Sequence, residues 1–167
     1  MEPNMEAYTF CIVGRAGSGK TPFLERLIPL LDERGLKVAS LKTSGRPLQL
    51  EYPLSDSARI ARAGTGDSYL LTPSGLCMFS GRRHSLEEAL EKAASGADIL
   101  LVEGTVLEDH PTIEVVRAGL PSFPDDQVWL SVSHKPTGRS FEVSDAEAAA
   151  EEIYKLVQSS SPCAPRI

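Results

Sequence analysis

The stretch Gly14-Arg15-Ala16-Gly17-Ser18-Gly19-Lys20-Thr21 constrains this chain more than any other. It has the form G-x-x-x-x-G-K-[ST] and follows directly on the apolar run Tyr8-Thr9-Phe10-Cys11-Ile12-Val13. Phe23, Leu24, Leu27, Ile28 and Leu31 then recur at helical spacing. Strand, glycine-rich loop and helix in that order are the setting of a P-loop, which holds nucleotide phosphates. Gly14, Gly17 and Gly19 let the backbone curl until its N–H groups converge on one anion. Lys20 reaches the β- and γ-phosphates, and the Thr21 hydroxyl can ligate Mg²⁺. The helix that follows turns its partially positive N-terminus towards the same phosphates. Without that setting the residues would be a glycine-rich turn with an accidental Lys-Thr. The flanking strand and helix favour nucleotide binding through the whole loop, Gly14, Arg15, Ala16, Gly17, Ser18, Gly19, Lys20 and Thr21.

A second constellation is Ile99-Leu100-Leu101-Val102-Glu103-Gly104. An apolar strand ending in a carboxylate is the usual partner of a P-loop, because the strand end places the acid near the Mg²⁺. In open α/β sheets ligands bind beyond the carboxyl ends of the strands, so Glu103 is expected on the same edge as Lys20. Gly104 lets the chain turn sharply there. Read alone, the run is a buried strand that ends in a solvated Glu; beside a P-loop it reads as the metal-side acid.

Strand-like and helix-like segments alternate along the chain, which predicts an α/β fold, a mostly parallel sheet with helices on both faces. The expected organisation is a flexible leader over 1–7, a nucleotide-binding domain over 8–158 and a flexible tail over 159–167. The first helix is expected from about Thr21 to Arg34, with Pro22 in its first turn and Pro29 bending it. The stretch 36–42 reads as a strand, and Thr43–Leu54 as a long loop of the functional or mobile kind. A short helix over 55–63 and strands over 69–72 and 76–79 around a Pro73-Ser74-Gly75 turn follow. Ser85 with Glu88, and Ser144 with Glu147, form capping boxes opening helices to about Ser95 and Gln158. The stretch 112–117 alternates like an edge or second-layer strand, and 127–133 reads as a strand with Trp129 in the core.

With 167 residues the chain suits one domain with a sizeable core. Its net charge of −6 argues against nucleic acid as a partner, since phosphodiester binding needs concentrated Lys and Arg. No run approaches the roughly 18 apolar residues of a membrane span, and the N-terminus lacks the regions of a signal peptide. Cys11, Cys77 and Cys163 lie far apart, so neither a zinc site nor a disulfide framework is suggested. Cys11 and Cys77 read as small core residues, and a cytoplasmic location is expected. His84, His110 and His134 read as isolated surface or loop residues.

Taken together, several motifs resemble one family. The P-loop, Lys42 at a strand end, Asp56-Ser57-Ala58-Arg59 before Ala63-Gly64, Val102-Glu103-Gly104 and Pro111-Thr112-Ile113-Glu114-Val115-Val116-Arg117 stand in the order of MobB proteins. These are the GTP-binding adaptors of molybdopterin-guanine dinucleotide biosynthesis. The resemblance spans about residues 8–158. It implies a P-loop NTPase of the SIMIBI type, generally dimeric, that binds GTP with Mg²⁺, hydrolyses it weakly and assists a molybdopterin guanylyltransferase. Carried onto this sequence, Asp56 and Arg59 would lie near the γ-phosphate and metal, Glu103 would ligate Mg²⁺, and Lys42 would flank the same edge. Lys20, Arg15 and Asp56 would then be the residues closest to catalysis, and Thr21, Glu103 and Asp56 the metal ligands. In SIMIBI P-loops a basic residue at the position of Arg15 can act across a dimer interface, in the manner of an arginine finger.

The chain departs from the family pattern in two places. Lys42 continues into Thr43-Ser44-Gly45-Arg46 where relatives carry a His-rich stretch, and Gly104 is followed by Thr105-Val106 where relatives carry Phe-Lys. The residues do not separate GTP from ATP, because no N-K-x-D is present and Ser133-His134-Lys135-Pro136 lacks its Asp. Two other classes therefore stay open. One is an ATP-dependent small-molecule kinase or a ligase resembling dethiobiotin synthetase. The other is a nucleotide-gated interaction protein that hydrolyses nothing.

Overall fold

A strand buried on both faces of a parallel sheet reads as an unbroken apolar run, and the stretches 8–13 and 99–102 are such runs. The computed structural model describes residues 7–45, 59–60, 63–64, 66–117, 123–133, 140–142 and 145–159. In chain order its elements are β1 (Tyr8–Val13), α1 (Lys20–Asp32), β2 (Val38–Lys42), β3 (Asp67–Thr72), β4 (Gly75–Ser80) and α2 (Leu86–Ala94). They continue with β5 (Ile99–Glu103), β6 (Thr112–Val116), a 3-10 turn (Asp125–Gln127), β7 (Leu130–Ser133), β8 (Ser140–Glu142) and α3 (Ala146–Ser159). The strands β2-β5-β1-β6-β7-β8 form, in that order, a six-stranded sheet in which every pairing is parallel. The fold is therefore the α/β P-loop architecture, with β1 in the interior and its loop at the carboxyl edge.

Alternation along the strands feeds two cores. Ile99 and Leu101 of β5 join Phe10, Ile12, Ile113 and Val115 in the larger cluster, against Phe23, Leu27 and Leu31 of α1 and Ala149, Ala150 and Ile153 of α3. Leu100 and Val102 face the other way, with Ala7 and with Leu90 and Ala94 of α2. Helices thus cover both faces. Each fully buried Phe, Leu or Ile contributes about 1.5–3 kcal/mol, so this layering is what holds the carboxyl edge in place. The capping box at Ser85 forms as its spacing predicts. The Ser85 N–H donates to the Glu88 carboxylate at 3.0 Å, and the Glu88 N–H donates to the Ser85 hydroxyl at 3.1 Å.

Three expectations are corrected. The stretch 112–117 is not an edge or second-layer strand: β6 lies between β1 and β7, and all its residues are buried, Thr112 and Glu114 included. Its polar positions are buried, and the Thr112 hydroxyl bonds the thiol of Cys11, its register partner on β1. Trp129 precedes β7 and is 38% exposed, with its ring tilted on buried Phe10 at a centroid distance of 5.7 Å. Cys77 is exposed on β4, because the β3–β4 hairpin is a separate two-stranded antiparallel sheet rather than part of the main one.

The described chain divides into two compact units, Met1–Thr43 with Leu90–Ile167, and Ser44–Ala89. The second holds the hairpin, whose register pairs Tyr69 with Met78 and Leu71 with Leu76. In that unit His84 Nε2 meets the Ser80 hydroxyl at 2.7 Å, and the Ser80 hydroxyl donates to Asp67. No helix among the described residues is long and apolar enough to cross a membrane.

Candidate functional site

The loop between β1 and α1 has the shape its glycines predict. Gly14, Gly17 and Gly19 all take positive φ, and Gly19 caps α1. Gly14 is irreplaceable on two counts. Its φ is 139°, and a Cβ there would stand 2.3 Å from the Val115 carbonyl oxygen of β6. Ser18 is buried, and its hydroxyl is a buried group without a hydrogen-bond partner among the described residues. An orphaned buried hydroxyl costs about 1–3 kcal/mol, which a phosphate oxygen in the loop would relieve. The Lys20 ammonium folds back over the loop and donates to the carbonyls of Gly14 at 2.9 Å and Arg15 at 3.1 Å. It is thus poised on the loop itself, within reach of whatever the loop holds.

On one side of the loop stand the ends of β5 and β2. Parallel register sets Lys42 beside Glu103, and their side chains form an ion pair at 3.1 Å. Glu103 is the sheltered partner, 12% exposed against 64% for Lys42. The backbone then knits three strands together. Gly104 donates to the Ile12 carbonyl at 3.1 Å, and Thr43 donates to the Glu103 carbonyl through its N–H at 2.8 Å and its hydroxyl at 3.1 Å. Gly104 has φ 103°, and a Cβ on it would meet the Thr43 carbonyl oxygen at 2.7 Å, so the turn closes only with glycine.

These elements enclose a cleft of about 450 Å³, lined by residues Ala16 to Pro22 together with Lys42 and Glu103. Its lining offers backbone N–H groups, the Lys20 and Lys42 ammoniums, the Ser18 and Thr21 hydroxyls and the Glu103 carboxylate, groups that a polyphosphate with a metal ion would use. The Thr21 hydroxyl and the Glu103 carboxylate are hard oxygen donors. A cation held by one carboxylate and completed by phosphate oxygens and water suits Mg²⁺.

The structure brings Ala16, Gly17, Ser18, Gly19, Lys20, Thr21, Lys42 and Glu103 to one cleft, with Gly14 and Arg15 in the same loop. Arg15 is exposed. Arg59 is exposed and belongs to the second compact unit. Asp56, His134 and Cys163 lie outside the described residues, as does the loop stretch 46–54. Sequence reasoning named Arg117 only as the end of a family motif and gave it no place in the site. The first residue after β6, it donates through Nη1 to the Gly17 carbonyl in a long hydrogen bond of 3.4 Å. The carboxyl-edge rule points to it once β6 is placed next to β1.

Two titratable groups away from the cleft, Cys11 and His110, are shifted by burial. Burial pushes the Cys11 thiol up, against the lowering effect of the Leu107 N–H and the Thr112 hydroxyl, so Cys11 is an inert core thiol. Burial pushes His110 down and keeps it neutral more readily than a solvated imidazole.

A family model described as MobB, molybdopterin guanine dinucleotide synthesis protein B, matches residues 9–133. The chain is 27% identical over 118 residues to the molybdopterin-guanine dinucleotide biosynthesis adapter protein of Escherichia coli K12, covering 68% of this chain and 67% of that one. It is 32% identical over 109 residues to the protein of the same description from Haemophilus influenzae, covering 64% of this chain and 61% of that one. Among solved structures it is similar to a molybdopterin-guanine biosynthesis protein B, with TM-score 0.66 and 28% identity over 90% of this chain and 99% of that one. Bacillus subtilis MobB shares the fold, with TM-score 0.69 and 21% identity over 92% of this chain and 99% of that one.

Proposed function

The chain belongs to the MobB family, and from that premise we propose that it is a GTP- and Mg²⁺-binding adaptor that assists guanylyl transfer to molybdopterin. The observation that carries the reading is the shared cleft: the P-loop, the Lys20 ammonium, the Thr21 hydroxyl and Glu103 face one volume sized for a polyphosphate. In this proposal the loop N–H groups and Ser18 hold phosphate oxygens, and Lys20 leaves the Gly14 and Arg15 carbonyls for them. Thr21 and Glu103 hold the Mg²⁺, which when bound offsets the negative charge of the phosphates. Lys42 flanks Glu103. Arg15, Asp56 and Arg59 enter through the family resemblance, as does a homodimer working in the cytoplasm beside a guanylyltransferase. Among the described cleft-lining residues Glu103 is the one carboxylate, and in this proposal it serves the metal rather than a water, which is compatible with slow hydrolysis and an adaptor's role.

The test is a thermal melt with Mg²⁺ and GTP, ATP or neither, run on the wild type and on Lys20→Ala. Ligand at a hundred times its dissociation constant adds about 2.7 kcal/mol. In a domain of this size that raises the midpoint by roughly 5–10 °C. A rise with GTP that Lys20→Ala abolishes is the expected result. A rise with ATP alone would move the protein to the kinase or ligase class, and no rise with either would overturn the nucleotide reading.

A further inference from the structure

The P-loop has two sides, and the proposed function uses only one. Glu103 and Lys42 stand at the ends of β5 and β2, on one flank of β1. On the other flank β6 pairs with β1, and Arg117 follows its last residue at the same carboxyl edge. Its guanidinium crosses the tip of the loop. Nη1 bonds the Gly17 carbonyl at 3.4 Å and lies 3.1 Å from where a Cβ on Gly17 would sit, so a side chain at that position would press on it.

The chemistry of the contact separates Arg117 from the phosphate-binding groups. Phosphate oxygens are gathered by N–H donors and Lys20, whereas Arg117 is tied to a carbonyl oxygen of the loop. It does not line the cleft that Lys20, Thr21 and Glu103 share. A nucleoside triphosphate has an anionic end and an aromatic end. A ligand whose metal-bearing end met Glu103 on the β5 flank would have its other end free to extend across the loop towards the β6 flank, where Arg117 stands. Arg is suited to receive that end. Its planar guanidinium stacks on aromatic rings while its edge donates hydrogen bonds, and the cation attracts the π face.

We propose that Arg117 is the nucleobase wall of this site: steadied on the Gly17 carbonyl, its guanidinium packs against the purine ring of a bound nucleoside triphosphate. The inference rests on the nucleotide reading above and adds a residue and a subsite to it. It also accounts for an exposed arginine committing a donor to a loop carbonyl, which orients the guanidinium plane before ligand arrives.

The experiment is calorimetric titration of wild type, Arg117→Ala and Arg117→Lys with Mg²⁺-GTP and, separately, with Mg²⁺ and inorganic tripolyphosphate, which has no base. Arg117→Ala is expected to weaken GTP about tenfold, the scale of a desolvated cation–π contact, and to leave tripolyphosphate within about twofold. Arg117→Lys keeps the charge without the plane and is expected to lose GTP selectively too. Equal loss for both ligands would overturn the proposal, because Arg117 would then hold phosphate or brace the loop. Unchanged GTP binding would overturn it as well. Wild type that binds neither ligand would overturn the nucleotide reading itself. Where wild type binds both, the two Arg117 variants decide whether the nucleobase wall stands.

Discussion

β5 and β6 both run parallel to β1, one on each side of it, yet they arrive at the P-loop in opposite ways. β5 is apolar along its length and turns acidic only at its end, where Lys42 pairs with Glu103. β6 carries polar residues inside the sheet, buried Thr112 and Glu114, and is followed by a cation that bonds the loop. The backbone contacts mirror one another. The β6 carbonyl of Val115 closes on Gly14, and on the β5 side the carbonyl of Thr43 closes on Gly104. Interior position therefore does not require an apolar strand, provided the polar groups find partners within the sheet, as Thr112 does with Cys11. The edge teaches something further. One flank carries a carboxylate paired with an ammonium and the other a guanidinium bonded to the loop, so under the proposed function the two ends of a nucleotide would meet different chemistry.

The strongest way to break this comparison is to test whether β6 is as interior as β5. Leu101 and Ile113 are both fully buried in the larger core cluster. Leu101→Ala and Ile113→Ala should each cost about 2–5 kcal/mol, through lost transfer energy plus the cavity left behind. Urea unfolding with unchanged m-values reads this directly. Two losses of similar size support matched interior strands. A loss for Ile113→Ala well below the range for buried Ile truncation, with Leu101→Ala inside it, would return β6 to the rim of the sheet.

The glycines come next. Gly14→Ala and Gly104→Ala each force an L side chain onto positive φ, a strain of about 1–3 kcal/mol, and each drives a Cβ into a carbonyl. Their stabilities should fall together, but their binding should part. Gly14→Ala displaces the loop that gathers phosphate, so tripolyphosphate affinity is expected to vanish with or without Mg²⁺. Gly104→Ala displaces Thr43 beside the ion pair, so metal-independent phosphate binding should survive while the gain from Mg²⁺ is lost. If Gly104→Ala removed phosphate binding in the absence of metal, the two flanks would not be separable.

Much of this architecture is legible in the residues, and the gaps have physical causes. The P-loop and the 99–104 run are readable because each function needs its residue types in contiguous order, and continuous burial on both faces leaves an unbroken apolar signature. The pattern of β6 misleads because period-two alternation normally marks a half-solvated strand, and Thr112 and Glu114 obey it while buried. That misplacement hides Arg117, whose importance depends on which strand it follows. Lys42 is placed at the site only by family resemblance, since 61 residues separate it from Glu103 and only the β2–β5 register brings the two together. Cys77 looks like core for the same reason that any short apolar run does: composition does not say which sheet a strand joins.

The smallest expected effect on stability is also the sharpest probe of the metal flank. The Lys42 side of the pair is 64% exposed, and an ion pair open to solvent contributes about 1 kcal/mol or less, so Lys42→Met should lower the unfolding free energy only slightly. Its consequence lies in the carboxylate it uncovers. Glu103 is only 12% exposed and has the Lys42 ammonium for its counterion at 3.1 Å, where a divalent cation would compete for the same oxygen. Removing the ammonium leaves a sheltered carboxylate in need of a cation. The Mg²⁺ concentration that half-saturates the GTP-dependent rise in melting midpoint should therefore fall several-fold in Lys42→Met, and should not move in Arg117→Ala, which acts on the other flank. A raised Mg²⁺ requirement in Lys42→Met would instead mean that Lys42 serves the phosphates directly, and Glu103 would no longer be the group that sets the chemistry of its side.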